Sequence, residues 1–318
     1  MNNKVLIVGF GEIAQRHYKN LNKLYPNYNY AVLTKKKLIK NKIKIFNSIK
    51  DAIKFKPFFT LICSPANTHI KYAKLFSNIN SNLFIEKPVA VNKIEFLNFL
   101  NSIKKKKLTI MTGYNLRFDE SFIFFKKKIK KSILGKILSV RSEVGQYLPN
   151  WRKKHYTKAV SSQKKLGGGV INELSHDIDI LYSLFEKIKL VFSLNFKASD
   201  LKINVEDTLH AIFKSKFNGK DFYITLNMDF YRHDTTRRCL IIGSKATIEW
   251  DYVKREVRLI KKGNNSIKVY KFHKDKNRSY IKEISYFIKS IKNKITLKNS
   301  FRKNLDLIKI LELLRKKK

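Results

Sequence analysis

The sequence predicts an α/β protein in which an N-terminal doubly wound parallel sheet precedes a C-terminal α+β domain with a large, mostly antiparallel open sheet. Over residues 1–118, short apolar strand-like segments alternate with helix-like segments, which is typical of a parallel sheet covered by helices. After residue 136, strand-like segments follow one another without long helices between them, which indicates antiparallel pairing. With 318 residues the chain is long enough for two domains, and we place them at 1–118 and 119–318.

A small-residue turn follows the first strand. Residues 4–8 are short, apolar and β-branched, as in a buried parallel strand, and a helical pattern then runs to Leu24. Between them stands G-x-G-x-x-A, in which the first glycine permits a tight turn, the second lets a pyrophosphate approach the backbone, and the alanine packs helix on strand. In this context the motif predicts a dinucleotide site of the Rossmann type, formed by Gly9, Phe10, Gly11, Glu12, Ile13 and Ala14.

The end of the second strand, Tyr30 to Leu33, bears on cofactor choice. An acidic residue there would hold the ribose 2′-hydroxyl of NAD, but the strand is followed by Thr34, Lys35 and Lys36. A hydroxyl and two ammonium groups suit a 2′-phosphate, so we favour NADP over NAD. Lysine runs occur throughout the chain, and the alternative is that this run has no such role.

Polar residues follow each later strand of the first domain. Strands are predicted at Phe58–Cys63, Asn82–Ile85 and Leu108–Thr112. Ligands of a doubly wound sheet bind beyond the carboxyl ends of its strands. The residues expected at this edge, near a nicotinamide, are Ser64, Pro65, His69, Glu86, Lys87, Asn115 and Arg117.

The second domain begins with a basic amphipathic helix at 120–132. Strand-like alternation covers 137–147 and then about 188–198, 208–217, 221–230, 239–250, 255–260 and 267–272. Asn218-Gly219 between two of these segments predicts a hairpin. Helices at about 276–293 and 300–316 end the chain.

A glycine triplet, Gly167 to Gly169, opens the segment in which we expect proton transfer. Glycines let the backbone pass close to a ligand or to another chain segment. Apolar spacing after them predicts one helix, on which Glu173 and His176 are three residues apart and share a face. A carboxylate beside an imidazole orients the ring and sets its tautomer, as in a general base. The alternative is an amphipathic helix whose polar residues face water.

Composition limits the function classes. The formal charge of +44 invites a nucleic-acid interpretation, but the excess is mostly lysine spread along the whole chain, so we expect no specific nucleic-acid surface. We find no export signal and no membrane-span-length apolar segment, which together favour a cytoplasmic protein without membrane attachment. The two cysteines, Cys63 and Cys239, form neither a disulfide framework nor a metal motif, and we expect no metal.

In combination these motifs resemble the Gfo/Idh/MocA (glucose-fructose oxidoreductase / inositol dehydrogenase / MocA) family over nearly the whole chain. The shared marks are the G-x-G-x-x-A turn, Ser64-Pro65 with His69, Glu86-Lys87-Pro88, the glycine triplet, and His176 with Asp179. The resemblance implies a two-domain NAD(P)-dependent oxidoreductase acting on sugars or sugar derivatives. It also implies a homo-oligomer, a dimer or tetramer, formed through the open sheet.

One departure concerns Glu173. The family pattern has an Asp four residues before the His, whereas Glu173 lies three residues before His176. This form, together with the stretch 143–151, is similar to a sub-branch associated with bacterial surface-sugar biosynthesis. Candidate substrate-binding residues are Arg117, which would bind a phosphate or carboxylate, the stacking residues Tyr147, Trp151 and Tyr156, and Asn172 and His176. For Arg117 a salt bridge, and for Trp151 and Tyr156 loop packing, are equally good interpretations.

The functional hypothesis is reversible hydride transfer between a nicotinamide and a sugar carbon that bears a hydroxyl. His176, with an ordinary histidine pKa of about 6.5, would take the hydroxyl proton, and Glu173 would orient it. Lys87 would donate a hydrogen bond to the reacting oxygen. We expect the side chains of Lys87 and His176 to converge on one nicotinamide. The alternative is a non-catalytic protein that binds NAD(P) as a sensor or regulatory ligand.

Overall fold

The computed structural model describes residues 3–35, 43–131, 133–151, 155–185, 187–263 and 266–316. By internal contacts the chain divides into two compact units, Met1–Tyr114 with Tyr280–Ile308, and Asn115–Ser279 with Lys309–Lys318. The domain division at 118/119 stays a prediction, and the contact-based units differ from it by joining residues 280–308 to the N-terminal segment. Within the described ranges, no helix is long and apolar enough to cross a membrane.

The first unit is built on a parallel sheet with the strand order β3-β2-β1-β4-β5-β6. Its strands are β1 (Lys4–Val8), β2 (Asn29–Leu33), β3 (Lys44–Phe46), β4 (Phe59–Ile62), β5 (Asn82–Glu86) and β6 (Ile110–Gly113). The helices between them are α1 (Glu12–Leu24), α2 (Ile49–Lys54), α3 (His69–Asn78) and α4 (Lys93–Ser102). Strand order reverses between β1 and β4, which pair in parallel, so their carboxyl ends form the crevice where such sheets bind ligands.

Residues 280–308 belong to this unit because they complete its core. Phe287 is fully buried and packs edge-on against Phe59 of β4 and Phe84 of β5, with ring centroids 5.7 and 5.6 Å apart. Phe301 lies against Phe96 of α4 at 5.3 Å. The late helices therefore pack against both the strands and α4 of the N-terminal segment.

The second unit is built on an eight-stranded sheet among the described residues, in the order β14-β13-β12-β11-β7-β10-β9-β8. The strands are β7 (Ile137–Gly145), β8 (Ile188–Phe196), β9 (Thr208–Phe217), β10 (Lys220–Asp229), β11 (Thr236–Gly243), β12 (Ala246–Asp251), β13 (Glu256–Lys261) and β14 (Ile267–Lys271). Neighbours pair antiparallel except β7 and β10, which are parallel. The predicted fold class, a parallel Rossmann sheet followed by a mostly antiparallel sheet, is confirmed.

Helices cover one face of this second sheet. They are α5 (Glu120–Lys130), the short α6 (Val170–Glu173) and α7 (Ser175–Phe185). Trp250 of β12 is fully buried under α5, where its ring lies 5.4 Å from Phe122 and its Nε1 donates to Ser121 Oγ at 2.8 Å. The single donor of the indole is therefore hydrogen-bonded inside the core, so burial of Trp250 leaves its N–H satisfied.

Several element boundaries differ from the sequence prediction. The single strand predicted at 239–250 is two strands, β11 and β12, joined through Ser244 and Lys245. The single helix predicted at 300–316 is α9 (Lys298–Arg302) and α10 (Asn304–Arg315), preceded by α8 (Asn277–Lys292). Asn304 Nδ2 donates to the carbonyl of Phe301 at 2.7 Å, and this competition for a helical carbonyl accompanies the break. The hairpin at Asn218-Gly219 is confirmed, with φ angles of 49° and 78°.

Candidate functional site

The turn after β1 brings the backbone against the end of β4. Gly9 has φ +81°, a left-handed conformation that favours glycine, and a Cβ there would lie 3.0 Å from the Cys63 carbonyl oxygen and from Ser64 Cα. Its amide donates to the carbonyl of Leu33 at the end of β2, at 2.9 Å. The first glycine of the motif is therefore required by close packing at the ligand-binding edge.

The N-terminus of α1 is open to a ligand. Gly11 is the N-cap and makes no side-chain capping hydrogen bond, while a Cβ on it would meet no atom within 4 Å. Ala14 is fully buried where helix meets strand. The first-turn amides at the positive end of the helix dipole, together with the open space above Gly11, fit a pyrophosphate. Of the other motif residues, Phe10 is buried, Ile13 is half-buried and Glu12 is exposed.

The segment proposed to choose between NAD and NADP lies just beyond β2. Thr34 is buried and its amide donates to the carbonyl of Phe46 in the adjacent β3 at 3.0 Å. Lys35 is exposed. Lys36 lies outside the described residues.

Glu86 and Lys87 stand where β5 ends. Glu86 is buried, and its Oε1 lies 2.7 Å from Nε2 of the fully buried His17 on α1. Its other oxygen, Oε2, accepts the backbone N–H of Lys87 at 3.2 Å. Lys87 itself is partly exposed and precedes a cis peptide bond to Pro88. The carboxylate of Glu86 is thus used within the protein, next to the residue that we expect to act on substrate.

His69 begins α3 and is 1% exposed. Its Nδ1 lies 2.8 Å from the carbonyl oxygen of Pro88, and its Nε2 lies 2.8 Å from that of Ser64. Burial lowers the pKa of His69, against the opposing effect of the two carbonyls. The Ser64 hydroxyl is 2.7 Å from that of Thr68, and Pro65 leads into the short 3-10 turn Ala66–Thr68. Both ring nitrogens of His69 lie against backbone carbonyl oxygens of the protein, which favours a structural role over direct contact with a cofactor.

Asn115 and Arg117 follow β6 in a 3-10 turn, Asn115–Phe118, and group with the second unit. Asn115 is buried and its Nδ2 donates to Ser279 Oγ at 2.9 Å. Arg117 forms a two-point ion pair with the fully buried Asp179 of α7, through Nε to Oδ2 at 2.8 Å and Nη2 to Oδ1 at 2.5 Å. Of the two interpretations of Arg117, the structure shows the salt bridge, and a role in anion binding stays a prediction.

The glycine triplet meets another segment of the same unit. A Cβ on Gly168 would lie 2.3 Å from the Val160 carbonyl oxygen, and one on Gly169 would lie 2.2 Å from Glu206 Oε1. Gly169 also has φ +105°, and Gly167 has φ +79°. Glu206 caps α6 with two hydrogen bonds. Its backbone carbonyl accepts the N–H of Val170, and its side-chain Oε1 accepts the N–H of Ile171. The triplet is therefore explained by close backbone packing between two segments.

The prediction of one continuous helix after the triplet is wrong. α6 ends at Glu173, Leu174 has φ −96° and ψ 18°, and α7 begins at Ser175. Glu173 and His176 thus lie on different helices, and their pairing stays a prediction. Glu173 Oε2 accepts a hydrogen bond from Ser161 Oγ at 3.0 Å. His176 is partly exposed near the N-terminus of α7.

The residues beside His176 are held by buried ion pairs. Asp177 is 1% exposed and accepts from Arg237 Nε at 3.1 Å, with Arg237 Nη2 also at 3.1 Å. Asp179 pairs with Arg117 as described, and burial raises its pKa while Arg117 opposes the rise. The sequence analysis did not identify Asp177, Arg237, Glu206 or His17, because the partners of these residues are distant in sequence. The one local signal that could have pointed to Asp177 is its place beside Asp179 in the pattern His-Asp-Ile-Asp.

The other candidate substrate residues differ in what they contact. The Tyr147 ring lies 4.6 Å from that of His233, and Trp151 packs edge-on against the buried Phe230 at 5.1 Å. The Tyr156 hydroxyl accepts the amide of Lys202 at 3.1 Å, as expected for loop packing. Asn172 is buried; its Nδ2 donates to the carbonyls of Gly167 and Gly168, and its Oδ1 accepts from Arg315. Asn172 therefore closes the glycine turn.

Together, the reversal of strand order, the open helix N-terminus and the second antiparallel sheet define a dinucleotide-binding protein of two-part α/β architecture. A family model described as "Oxidoreductase family, NAD-binding Rossmann fold" matches residues 3–114, and one described as "Oxidoreductase family, C-terminal alpha/beta domain" matches residues 126–318. The chain belongs to the Gfo/Idh/MocA oxidoreductase family, and its N-terminal segment is the NAD(P)-binding Rossmann domain of that family.

Relatives match the chain over most of its length. Myo-inositol 2-dehydrogenase of Thermotoga maritima is 23% identical, covering 91% of this chain and 88% of the relative. Levoglucosan dehydrogenase in complex with NADH and L-sorbose superposes with a TM-score of 0.82 at 16% identity, covering 98% of this chain and 96% of that one. Myo-inositol 2-dehydrogenase from Lactobacillus plantarum has a TM-score of 0.81 at 18% identity, covering 99% and 96%. At these identities the structural likeness establishes the fold.

Proposed function

We propose that this chain is an NAD(P)-dependent dehydrogenase or reductase that transfers a hydride between nicotinamide and a hydroxyl- or keto-bearing carbon of a sugar, sugar acid or nucleotide sugar. The observation that carries the proposal is the partly exposed Lys87 at the carboxyl end of β5, in a sheet whose β1 turn fits a pyrophosphate. Ligands of such sheets bind beyond this edge. The relatives named above are dehydrogenases of inositol and of levoglucosan, which agrees with a hydroxyl-bearing substrate.

In this proposal the bound nicotinamide supplies the hydride chemistry and the protein supplies acid–base groups. Lys87 donates a hydrogen bond to the reacting oxygen and stabilises negative charge as it develops there. His176 takes the hydroxyl proton in the oxidation direction. Glu173 is assigned to orienting His176, and the hydrogen bond that it accepts from Ser161 holds its carboxylate at the end of α6.

The proposed preference for NADP rests on the cations that follow β2. Lys35 is exposed and no acidic residue ends the strand. If an ammonium group binds the 2′-phosphate, Lys35→Asp will lower the ratio of NADPH to NADH affinity by about tenfold or more, the value of one charge-assisted hydrogen bond. Fluorescence titration with both cofactors measures the ratio. Lys54→Asp, at an exposed position on α2, is the matched control.

We further propose that the enzyme acts in surface-glycan biosynthesis. It rests on the three-residue spacing of Glu173 and His176 and on the stretch 143–151, which resemble the sub-branch named above. Tyr147 and Trp151 are both partly exposed, as residues that stack on a sugar ring must be. Tyr156 and Arg117, both half-buried, complete the proposed substrate set, with Asn172 supporting the glycine turn.

The decisive experiment is a substrate screen followed at the absorbance of the reduced nicotinamide. The panel contains inositols, aldoses, sugar acids and nucleotide sugars with NAD⁺ and NADP⁺, and the corresponding keto compounds with NADH and NADPH. With the substrate found, we expect Lys87→Ala and His176→Ala each to lower turnover by about two orders of magnitude or more. Lys54→Ala and His210→Ala, at exposed positions of the same two units, are the controls.

Two outcomes would reject the proposal. Full turnover of the Lys87→Ala enzyme with the identified substrate would show that this side chain is not in the reaction. Tight cofactor binding with no absorbance change for any member of the panel would instead support the binding-only alternative.

The proposed assembly is a homodimer or tetramer formed through the open face of the second sheet. Phe192 of β8, Ile212 of β9 and Tyr223 of β10 are 47%, 37% and 53% exposed. The strand register sets Phe192 directly opposite Ile212, so these two apolar side chains adjoin on the exposed face, while Tyr223 is opposite Lys214. Patches of this kind mark association surfaces.

Sedimentation at physiological salt tests this assembly, since salt screens the charge of a chain with a formal +44. Ile212→Asp is expected to lower the mass to that of the monomer. Ile94→Asp is the matched control, because Ile94 is 67% exposed and lies on α4 of the other unit. A monomeric parent protein, or an unchanged mass for Ile212→Asp, would contradict this assembly.

A further inference from the structure

Two buried histidines of the first unit direct their hydrogen bonds to the two neighbours of Lys87. His17 lies on α1 and His69 begins α3, and they are 0% and 1% exposed. A buried imidazole is costly unless its nitrogens find partners. His17 Nε2 has one in Glu86, whereas His17 Nδ1 has none among the described residues. His17 binds Glu86, the residue before Lys87, and His69 binds Pro88, the residue after it.

On the side of His17, two consecutive hydrogen bonds lead from the ring through Glu86 to the backbone of Lys87. A carboxylate only accepts, so His17 Nε2 donates to Glu86 Oε1, at 2.7 Å, while Glu86 Oε2 accepts the backbone N–H of Lys87 at 3.2 Å. One carboxylate therefore joins α1 to the peptide group of Lys87. Edge-on packing against Phe84, at a centroid distance of 5.1 Å, fixes the plane of the His17 ring.

Space for this carboxylate depends on Gly113 of β6. A Cβ there would lie 3.0 Å from Glu86 Oε1 and 3.1 Å from the Phe84 ring, although Gly113 has an ordinary backbone conformation. The absent side chain thus leaves room for the Glu86 carboxylate.

The His69 side joins two turns at the same edge of the sheet. Its Nδ1 lies 2.8 Å from the Pro88 carbonyl oxygen and its Nε2 lies 2.8 Å from that of Ser64. The ring therefore ties the segment after β5 to the segment after β4. A carbonyl oxygen only accepts, so a neutral ring donates to one of the two carbonyls, and the other nitrogen lies against the second carbonyl. Because this nearly fully buried ring lies between two backbone segments, its contribution to function must be indirect.

We propose that His17 and His69 are positioning residues that hold the backbone on either side of Lys87, so that its ammonium group is presented to substrate in one place. The inference rests on the proposed function, because it matters for turnover only if Lys87 acts on substrate. Displacement of a catalytic group by about 1 Å can lower a rate about a hundredfold, which is why such support is needed.

Side-chain replacements that keep one nitrogen at a time test the proposal. Glutamine places its amide nitrogen near the position of Nε2, and asparagine near that of Nδ1. His17→Gln and His69→Asn keep the bonds toward Glu86 and Pro88, whereas His17→Leu and His69→Leu remove them. His69→Gln keeps only the bond toward Ser64. His210→Gln, at an exposed histidine of the other unit, is the control.

The first measurement needs no substrate. Trace acetylation of the native protein with acetic anhydride, quantified by peptide mass spectrometry, gives the rate at Lys87 relative to the other lysines. The second is the kinetic constants with the substrate from the screen, and the third is fluorescence titration with NADPH. For the two Leu variants we expect kcat to fall about 10- to 100-fold, Lys87 acetylation to change at least about threefold, and cofactor affinity to stay within about threefold.

We expect His17→Gln and His69→Asn to restore most of both signals and His69→Gln to restore less. The proposal is overturned if both Leu variants lower only the unfolding midpoint and leave Lys87 acetylation and kcat unchanged, or if His69→Gln restores as much as His69→Asn. If acetylation changes while kcat does not, the histidines do position Lys87 and the role of Lys87 in the reaction is wrong. The failures of the two proposals are thereby distinguishable.

Discussion

Gly168→Ala tests whether backbone packing is what the glycine triplet provides. A Cβ at this position would lie 2.3 Å from the carbonyl oxygen of Val160 and 2.7 Å from that of Ser161. Neither atom is the end of a flexible side chain, so the 3-10 turn Val160–Ser162 must move away. The move would also strain the bond from the Gly169 amide to the Ser161 carbonyl, which is 3.0 Å long.

The expected loss of stability follows from these contacts. Overpacking of this kind costs about 1–3 kcal/mol, and weakening one backbone hydrogen bond adds about 1 kcal/mol, so the sum is about 2–4 kcal/mol. Gly219→Ala is the matched control: its φ is +78° but a Cβ would meet no atom within 4 Å. Only the left-handed conformation is then penalised, at about 1 kcal/mol.

Urea unfolding followed by tryptophan fluorescence measures both variants. The two tryptophans of the chain, Trp151 and Trp250, both belong to the second unit, so the signal reports the unit that contains the triplet. If Gly168→Ala shifts the midpoint no more than Gly219→Ala does, the Val160 turn yields easily and the packing explanation of the triplet is refuted.

Three further predictions concern buried ionisable groups. Asp179→Asn removes the buried carboxylate that pairs with the guanidinium of Arg117, whose side chain is 32% exposed. We expect the free energy of unfolding, measured by urea titration, to fall by about 1–3 kcal/mol. A loss below about 0.5 kcal/mol would make this pair no stronger than a surface ion pair. Burial raises the pKa of Glu206, so stability from its protonated form is present below the unfolded value near 4.5 and is lost as pH rises through the higher folded pKa. The stability of Glu206→Gln relative to the parent should therefore rise from pH 5 to pH 8, and a constant or falling difference in unfolding free energy would contradict the burial effect. Burial also raises the pKa of the thiols of Cys63 and Cys239. A disulfide reagent should therefore label neither cysteine in the folded protein and both in denaturant. Rapid labelling of Cys63 in the native protein would show that the sheet edge at the end of β4 opens.

The features that sequence predicts best here are those determined by neighbouring residues. The turn from β1 into α1 depends on Gly9, Gly11 and Ala14, which lie within one short stretch. Gly9 has the positive φ and the close backbone approach that its position suggests, and the space above Gly11 is open. The hairpin at Asn218-Gly219 is equally local, because both residues adopt the positive φ that a two-residue turn demands. The class of the first sheet then follows from repetition of such units.

The break at Leu174 shows why the rest could not be predicted. Spacing alone continues the helix from Val170 to Phe185, since no proline or glycine interrupts it. However, α6 is capped by Glu206, which is 35 residues from its partner Ile171, and α7 is held by Arg237, which is 60 residues from Asp177. Partners this far along the chain leave no periodic signal, so the geometry of Glu173 and His176 depended on contacts that the sequence does not display.

Contacts between residues distant in sequence also support the two side chains proposed to act on substrate. Lys87 and His176 are each partly exposed, yet each stands beside buried polar residues, Glu86 in one unit and Asp177 in the other. An exposed side chain loses little solvation in the folded state, whereas its buried neighbours, once bonded, are costly to displace. Folding thereby restricts the backbone of each group before any ligand binds, which lowers the ordering entropy that a reaction must otherwise overcome. The residues most informative for mutation are consequently the buried partners, because a change there moves a reactive group without altering it.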